Sequence, residues 1–164
     1  MLGHSSFPKE KRPRLAVIRL KHTTVIAAAP DVVFAYVADL RNERRWQPDI
    51  KALIPVTEGT FSRGSRFIEV RHSFGIRFRW EFEITNLNPG KGIHVISHGG
   101  RCPYHGSRIF SAVPGGTCVI EQGELQLPGV PQCSSPLITW LSQRSIRNAY
   151  ARLKTLLEGG SRLT

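Results

Sequence analysis

The chain reads as an α+β protein, with a seven-stranded antiparallel sheet wrapped around one long C-terminal helix and two short helices after the first strand. Three observations predict this. Six strand-length runs follow one another from residue 50 to 127, separated by turn signals such as "FG", "NPGKG" and "PGG". Within them, Ile76, Phe78, Trp80, Phe82 and Ile84 alternate with Arg77, Arg79, Glu81, Glu83 and Thr85, the mark of a sheet with one buried and one wet face. From 134 to 158 the pattern changes to a helical period, with Ile138, Leu141, Ile146, Ala149, Leu153, Leu156 and Leu157 on one stripe.

Length and charge narrow the class. At 164 residues the chain suits one domain with a core that needs neither disulfide nor metal. We divide it into a basic flexible arm over 1–13 and a single domain over 14–160. Cys102, Cys118 and Cys133 lack the paired spacing of a zinc or redox motif. No apolar run is long enough to span a membrane, and "MLGHSSFPKEKRPR" has no apolar core of a secretory signal, so a cytoplasmic protein is expected. The net charge of +11 is gathered at the ends. Residues 1–22 hold six basic side chains and one acid, and 133–164 hold five and one, whereas 31–50 hold three and four. Such a balance serves solubility as readily as binding to nucleic acid.

The elements follow in order. "LAVIRLKHTTVIAA" is rich in β-branched residues and forms the first strand. Pro30 and Asp31 open a helix, and Val33, Val37 and Leu40 with Tyr36 give it a buried face. "ERRW" follows as a second short helix, and Pro48 ends the helical region. After the strands, Ser134 or Ser135 caps the long helix, Pro136 sits in its first turn, and Gly159 and Gly160 stop it. One helix leaves part of a concave sheet uncovered, and that hollow is a ligand pocket.

The stretches "AAAPDVVFAYVADLRNERRWQPDI", "FEITNLNPGKGIHVI" and "PGGTCVIEQ", in this order and closed by an amphipathic helix, resemble the SRPBCC superfamily over residues 20–158. This superfamily is also called START-like or Bet v 1-like, and the likeness falls in its polyketide cyclase/dehydrase group. The resemblance implies a helix-grip fold with a pocket between sheet and long helix. It also implies a small apolar partner, such as a lipid or polyketide, and leaves open whether the chain is a binding protein or a cyclase/dehydratase-like enzyme. No cofactor and no metal are expected.

Strand parity nominates site residues. With the Trp80 face inward, we expect Ile68, Val70, His72 and Phe74 to face the pocket from the preceding strand, with Glu69 and Arg71 in water. In the last strand Glu121 shares parity with Val119, Leu125 and Leu127, so it either enters the pocket or lies solvated at a strand end. If Phe110 faces inward, Arg108 does too and pairs with Glu121 across a hairpin; otherwise Ile109 and Val113 turn inward. Arg108, Glu121 and His72 are thus the catalytic candidates, Arg108 to polarise an oxygen and Glu121 or His72 to move a proton. Tyr36, Trp46, Val70, Phe78, Trp80, Phe110, Ile138, Trp140 and Leu141 are the candidate ligand-binding residues. The helix face ending at Trp46 is expected to form a lid or wall at the ligand entrance. His94 and His98 lie about 13 Å apart along one strand, too far to share an ion. The alternative function is a nucleic-acid- or ribosome-associated module of the same fold, using the arm and the outer arginines of the last helix.

Overall fold

The computed structural model describes residues 16–160, so the arm expected over 1–13 lies outside the described residues. Each run named above becomes a strand: β1 Ala16–Ile26, β2 Ile50–Pro55, β3 Arg66–Ser73, β4 Ile76–Asn88, β5 Gly92–Ser97, β6 Tyr104–Val113 and β7 Gly116–Leu127. They form one antiparallel sheet in the order β1-β7-β6-β5-β4-β3-β2, so the first strand pairs with the last. Between β1 and β2 lie α1 (Pro30–Ala38), a 3-10 turn (Leu40–Asn42) and α2 (Glu43–Trp46). The long helix α3 spans Ser135–Gly160. Helical backbone therefore continues through Gly159 and Gly160, where a stop was expected; glycine weakens a helix by only about 1 kcal/mol and does not forbid it.

Two short turns set what faces inward. Between β3 and β4, Phe74 (φ 56°) and Gly75 (φ 76°) form a two-residue hairpin loop with both central residues left-handed. That loop pairs Ser73 with Ile76, and the register then sets Phe67 opposite Phe82, Glu69 opposite Trp80, and Arg71 opposite Phe78. Directly paired residues share a face. Between β6 and β7, Gly116 (φ 151°) passes so close to β1 that a Cβ would meet the Ile26 carbonyl oxygen at 2.0 Å.

The core gathers where the helices cover the concave face. Val33 and Val37 of α1, Leu40, Trp46 of α2, and Ala149, Tyr150 and Leu153 of α3 are buried together with Phe82, Ile84 and Val119 of the sheet. α3 lies along β1 and touches α2. The edge of β1 is occupied as well: the Gln143 amide, oriented to satisfy both groups, pairs with the Lys21 N–H and C=O at 3.1 Å each. That pairing satisfies the edge at one position of β1.

Candidate functional site

A cavity of about 450 Å³ lies between the concave sheet and α3. Apolar wall comes from β4 and β5, including Phe78, Trp80 and Ile93, and from Ile138, Leu141 and Ile146 of α3. Phe78 and Trp80 stack in parallel with centroids 5.0 Å apart, and the Trp80 indole N–H donates to the Cys102 carbonyl at 2.7 Å. That bond satisfies the indole N–H while the ring face stacks on Phe78. Phe74, Ile76 and Leu137 line the cavity yet are 50%, 56% and 61% exposed, so its mouth lies between the β3–β4 turn and the start of α3. The entrance is thus not at the 31–50 segment, which instead supplies inner wall through Leu40, Glu43 and Gln47.

Into this apolar wall converge charged groups from four elements. The register pairs Arg108 with Glu121, and Arg108 Nε donates to Glu121 Oε2 at 3.2 Å. Arg108 Nη1 also donates to Glu43 Oε1, which reaches over from α2. The guanidinium lies over the Trp46 ring, 5.2 Å from its centroid. Tyr150 of α3 donates its hydroxyl to Glu121 Oε2 at 2.5 Å, while its ring packs on Trp46 and His22. Beside this group Arg71 donates to Glu69 Oε1 at 2.8 Å and to Gln47 Oε1 at 2.9 Å. Asp49 Oδ2 accepts from Ser145 at 2.8 Å and from Ser73 at 3.4 Å.

Burial sharpens the electrostatics. The Glu43 carboxyl is pushed above its usual range by desolvation, against the pull of Arg108. For Arg108 burial acts downward, but Glu43 and Glu121 outweigh it and hold the guanidinium firmly charged. Arg71 behaves likewise through Glu69. The phenols of Tyr104 and Tyr150 are both raised, first by burial and then by Glu121, so each remains a hydrogen-bond donor. His22 is lowered by burial, against the attraction of Glu121.

Tyr104 owes its place to two glycines. Gly106 and Gly123 face each other across β6 and β7, and the Tyr104 ring lies over both. A Cβ at either would come within 2.4 or 2.5 Å of the tyrosine hydroxyl. The pair makes a shallow slot in the sheet that only an absent side chain provides.

The candidates named from the sequence separate accordingly. Arg108, Glu121, Phe78, Trp80, Ile138 and Leu141 line the cavity. His72 and Val70 do not: the two-residue turn puts them opposite Arg77 and Arg79, on the other face of the sheet, with His72 exposed. The same register brings Glu69 and Arg71, expected in water, to the cavity. Trp140 is 53% exposed and carries Arg144 over its ring at 5.9 Å, away from the lining. Phe110 is buried against Phe34 beneath α1, Tyr36 packs half-buried at the core's edge, and Trp46 lies fully buried behind Arg108; none of the three lines the cavity.

Sequence reasoning missed Glu43, Gln47, Tyr104 and Tyr150. Two carried a signal. Leu40, Glu43 and Trp46 recur every third residue, so Glu43 continues an apolar stripe, and Tyr150 stands between Ile146 and Leu153 on the stripe of α3. A polar group on such a stripe is buried and must find a partner.

Comparison with known proteins agrees with this architecture. A protein of Thermus thermophilus superposes with a TM-score of 0.72 at 19% identity, covering 88% of this chain and 99% of that one. The di-domain ARO/CYC protein StfQ of the steffimycin biosynthetic pathway gives 0.72 at 12% identity, over 90% of this chain and 53% of StfQ. A START superfamily protein of Mycobacterium smegmatis gives 0.68 at 15% identity, over 86% and 97%. At these identities the likeness is one of fold, the helix-grip fold of the START-like superfamily. No curated protein matches the chain in sequence. The family model described as polyketide cyclase / dehydrase and lipid transport matches residues 17–158. The chain belongs to that family.

Proposed function

We propose that the protein binds a small apolar molecule bearing oxygen groups, in the cavity between the sheet and α3. The observation that carries this reading is a 450 Å³ cavity with a largely apolar wall and one cluster of buried, mutually paired charges. Cavities of about 300–1,000 Å³ are the size that takes up small ligands. Family membership supports the same reading.

Binding is favoured over cyclase/dehydratase-type catalysis. Such chemistry would ask Arg108 to polarise a ligand oxygen, yet Arg108 is already held by two carboxylates. His72, a candidate proton carrier, faces away from the cavity.

Titration with N-phenyl-1-naphthylamine, a neutral dye that brightens in apolar surroundings, tests the proposal. Saturable brightening, reversed by decan-1-ol and weakened by Leu141→Trp, is the expected result. A dye that stays dark, with no molecule retained in native mass spectra, would sink it. The nucleic-acid alternative would show instead as salt-sensitive retention of RNA or DNA through Arg144, Arg147 and Arg152 on α3.

A further inference from the structure

The sign of the charge around the cavity narrows what it accepts. Among the described residues, the charged side chains that line it are Glu43, Asp49, Glu69 and Glu121 against Arg71 and Arg108. Four carboxylates face two guanidiniums. Each guanidinium is already committed, Arg108 to Glu43 and Glu121, and Arg71 to Glu69 and Gln47. Asp49 has hydroxyl donors from Ser73 and Ser145 but no ion pair with a described cation. Even with Glu43 counted as neutral, the wall still carries one excess negative charge.

An anionic ligand would enter against that excess. To gain a cation it would have to take a guanidinium from a buried carboxylate and leave that carboxylate unpaired. A neutral oxygen asks only for a hydrogen-bond donor, and two are unclaimed. Gln47 is 7% exposed, lines the cavity, and its Nε2 has no partner. Tyr104 also lines the cavity, and its hydroxyl, set over Gly106 and Gly123, makes no hydrogen bond to a described residue.

We infer that the cavity selects against anionic ligands and takes a neutral apolar molecule whose hydroxyl or carbonyl oxygen is held by Gln47 and Tyr104. This selectivity rests on the binding reading above and specifies it. It separates the protein from binders of free fatty acids, which present a carboxylate.

The test compares ligands that share one chain and differ in the head. Decan-1-ol, methyl decanoate and decanoate each displace N-phenyl-1-naphthylamine at pH 8, where the acid is ionised. The carboxylate should need at least about tenfold more than the alcohol or ester, the like-charge penalty being large in a desolvated site. Asp49→Asn and Glu121→Gln should narrow that ratio several-fold, which a mere difference in ligand hydrophobicity would not do. Gln47→Leu with Tyr104→Phe should weaken the alcohol and ester specifically. Should Glu121→Gln fail to fold, the wild-type ratio and the half-buried Asp49→Asn carry the test. Decanoate binding as tightly as the alcohol, or a ratio that neither carboxylate variant moves, overturns the inference while leaving ligand binding intact. A dye that never binds overturns the binding reading itself, and the selectivity with it.

Discussion

Tyr150 Oη donates to Glu121 Oε2 at 2.5 Å, joining the long helix to the last strand through the oxygen that also accepts from Arg108. The contact lies largely out of solvent, so the carboxylate depends on these two donors in place of water.

Removing one of them is the simplest test of that dependence. Tyr150→Phe keeps the ring contacts with Trp46 and His22 and deletes only the hydroxyl. Leaving a buried acceptor short of a donor costs about 1–3 kcal/mol, which urea denaturation should show as a lower midpoint with an unchanged slope.

Arg108→Met is more severe. It leaves Glu43 and Glu121 buried without their shared cation, and breaking such a group by removing one partner costs about 3–5 kcal/mol. A large loss in thermal midpoint is expected, partly restored by Glu43→Gln in the same chain, because the second change removes one of the stranded charges. Circular dichroism melts of the single and double variants check both statements.

Glu43 should leave its mark on pH dependence. Folding raises its pKa, so the folded chain keeps a proton that the unfolded chain releases. The stability this contributes is full below the usual carboxylate range and is lost as pH rises through the raised value. Denaturation of wild type and Glu43→Gln across pH 4 to 8 should therefore show wild type losing ground steadily to the variant as pH rises. Asp39, whose pKa is lowered by its bonds to Arg41, acts in the opposite sense but is common to both chains and cancels. A difference between the two chains that does not change with pH would refute the assignment.

Gly123→Ala should press on Tyr104. The added methyl would lie 2.5 Å from the hydroxyl, and forcing the ring out of its slot costs about 1–3 kcal/mol of overpacking. In a Tyr104→Ala background Gly123→Ala should cost much less than it does in the wild type, and the double variant should bind the naphthylamine dye in a widened cavity. A glycine needed only for its backbone would show no such difference.

How far the sequence carried the reading depended on which signal ruled each residue. The sheet, its order along the chain and α3 were legible because alternation at Ile76–Thr85 and the stripe from Ile138 to Leu157 are long and clean. The pairing of Arg108 with Glu121 was only half legible. It followed if Phe110 faced inward, but the sequence also allowed Ile109 and Val113 as the inward set, and the register decides between them. β3 was assigned the wrong face because Ile68 and Val70 outweigh Phe67 in a count of apolar residues. Its turn held the better information: a two-residue loop at Phe74–Gly75 makes the facing pair add to a fixed odd number, so Trp80 must face Glu69. Gln47 and Tyr104 carried no such signal. Their positions follow from the loop after α2 and from a glycine slot that exists only once β6 and β7 are side by side.

The charged cluster draws on distant parts of the chain: 65 positions separate Glu43 from Arg108, 24 separate Gln47 from Arg71, and 29 separate Glu121 from Tyr150. Contacts of such span close only after most of the chain has been placed, since each long loop must surrender its entropy first. They should be largely missing when the chain crosses its folding barrier and complete only beyond it. Substitutions there would accelerate unfolding and leave refolding nearly untouched, a split that stopped-flow chevrons read directly. The groups that give the cavity its polarity would then also set how long a folded molecule lasts.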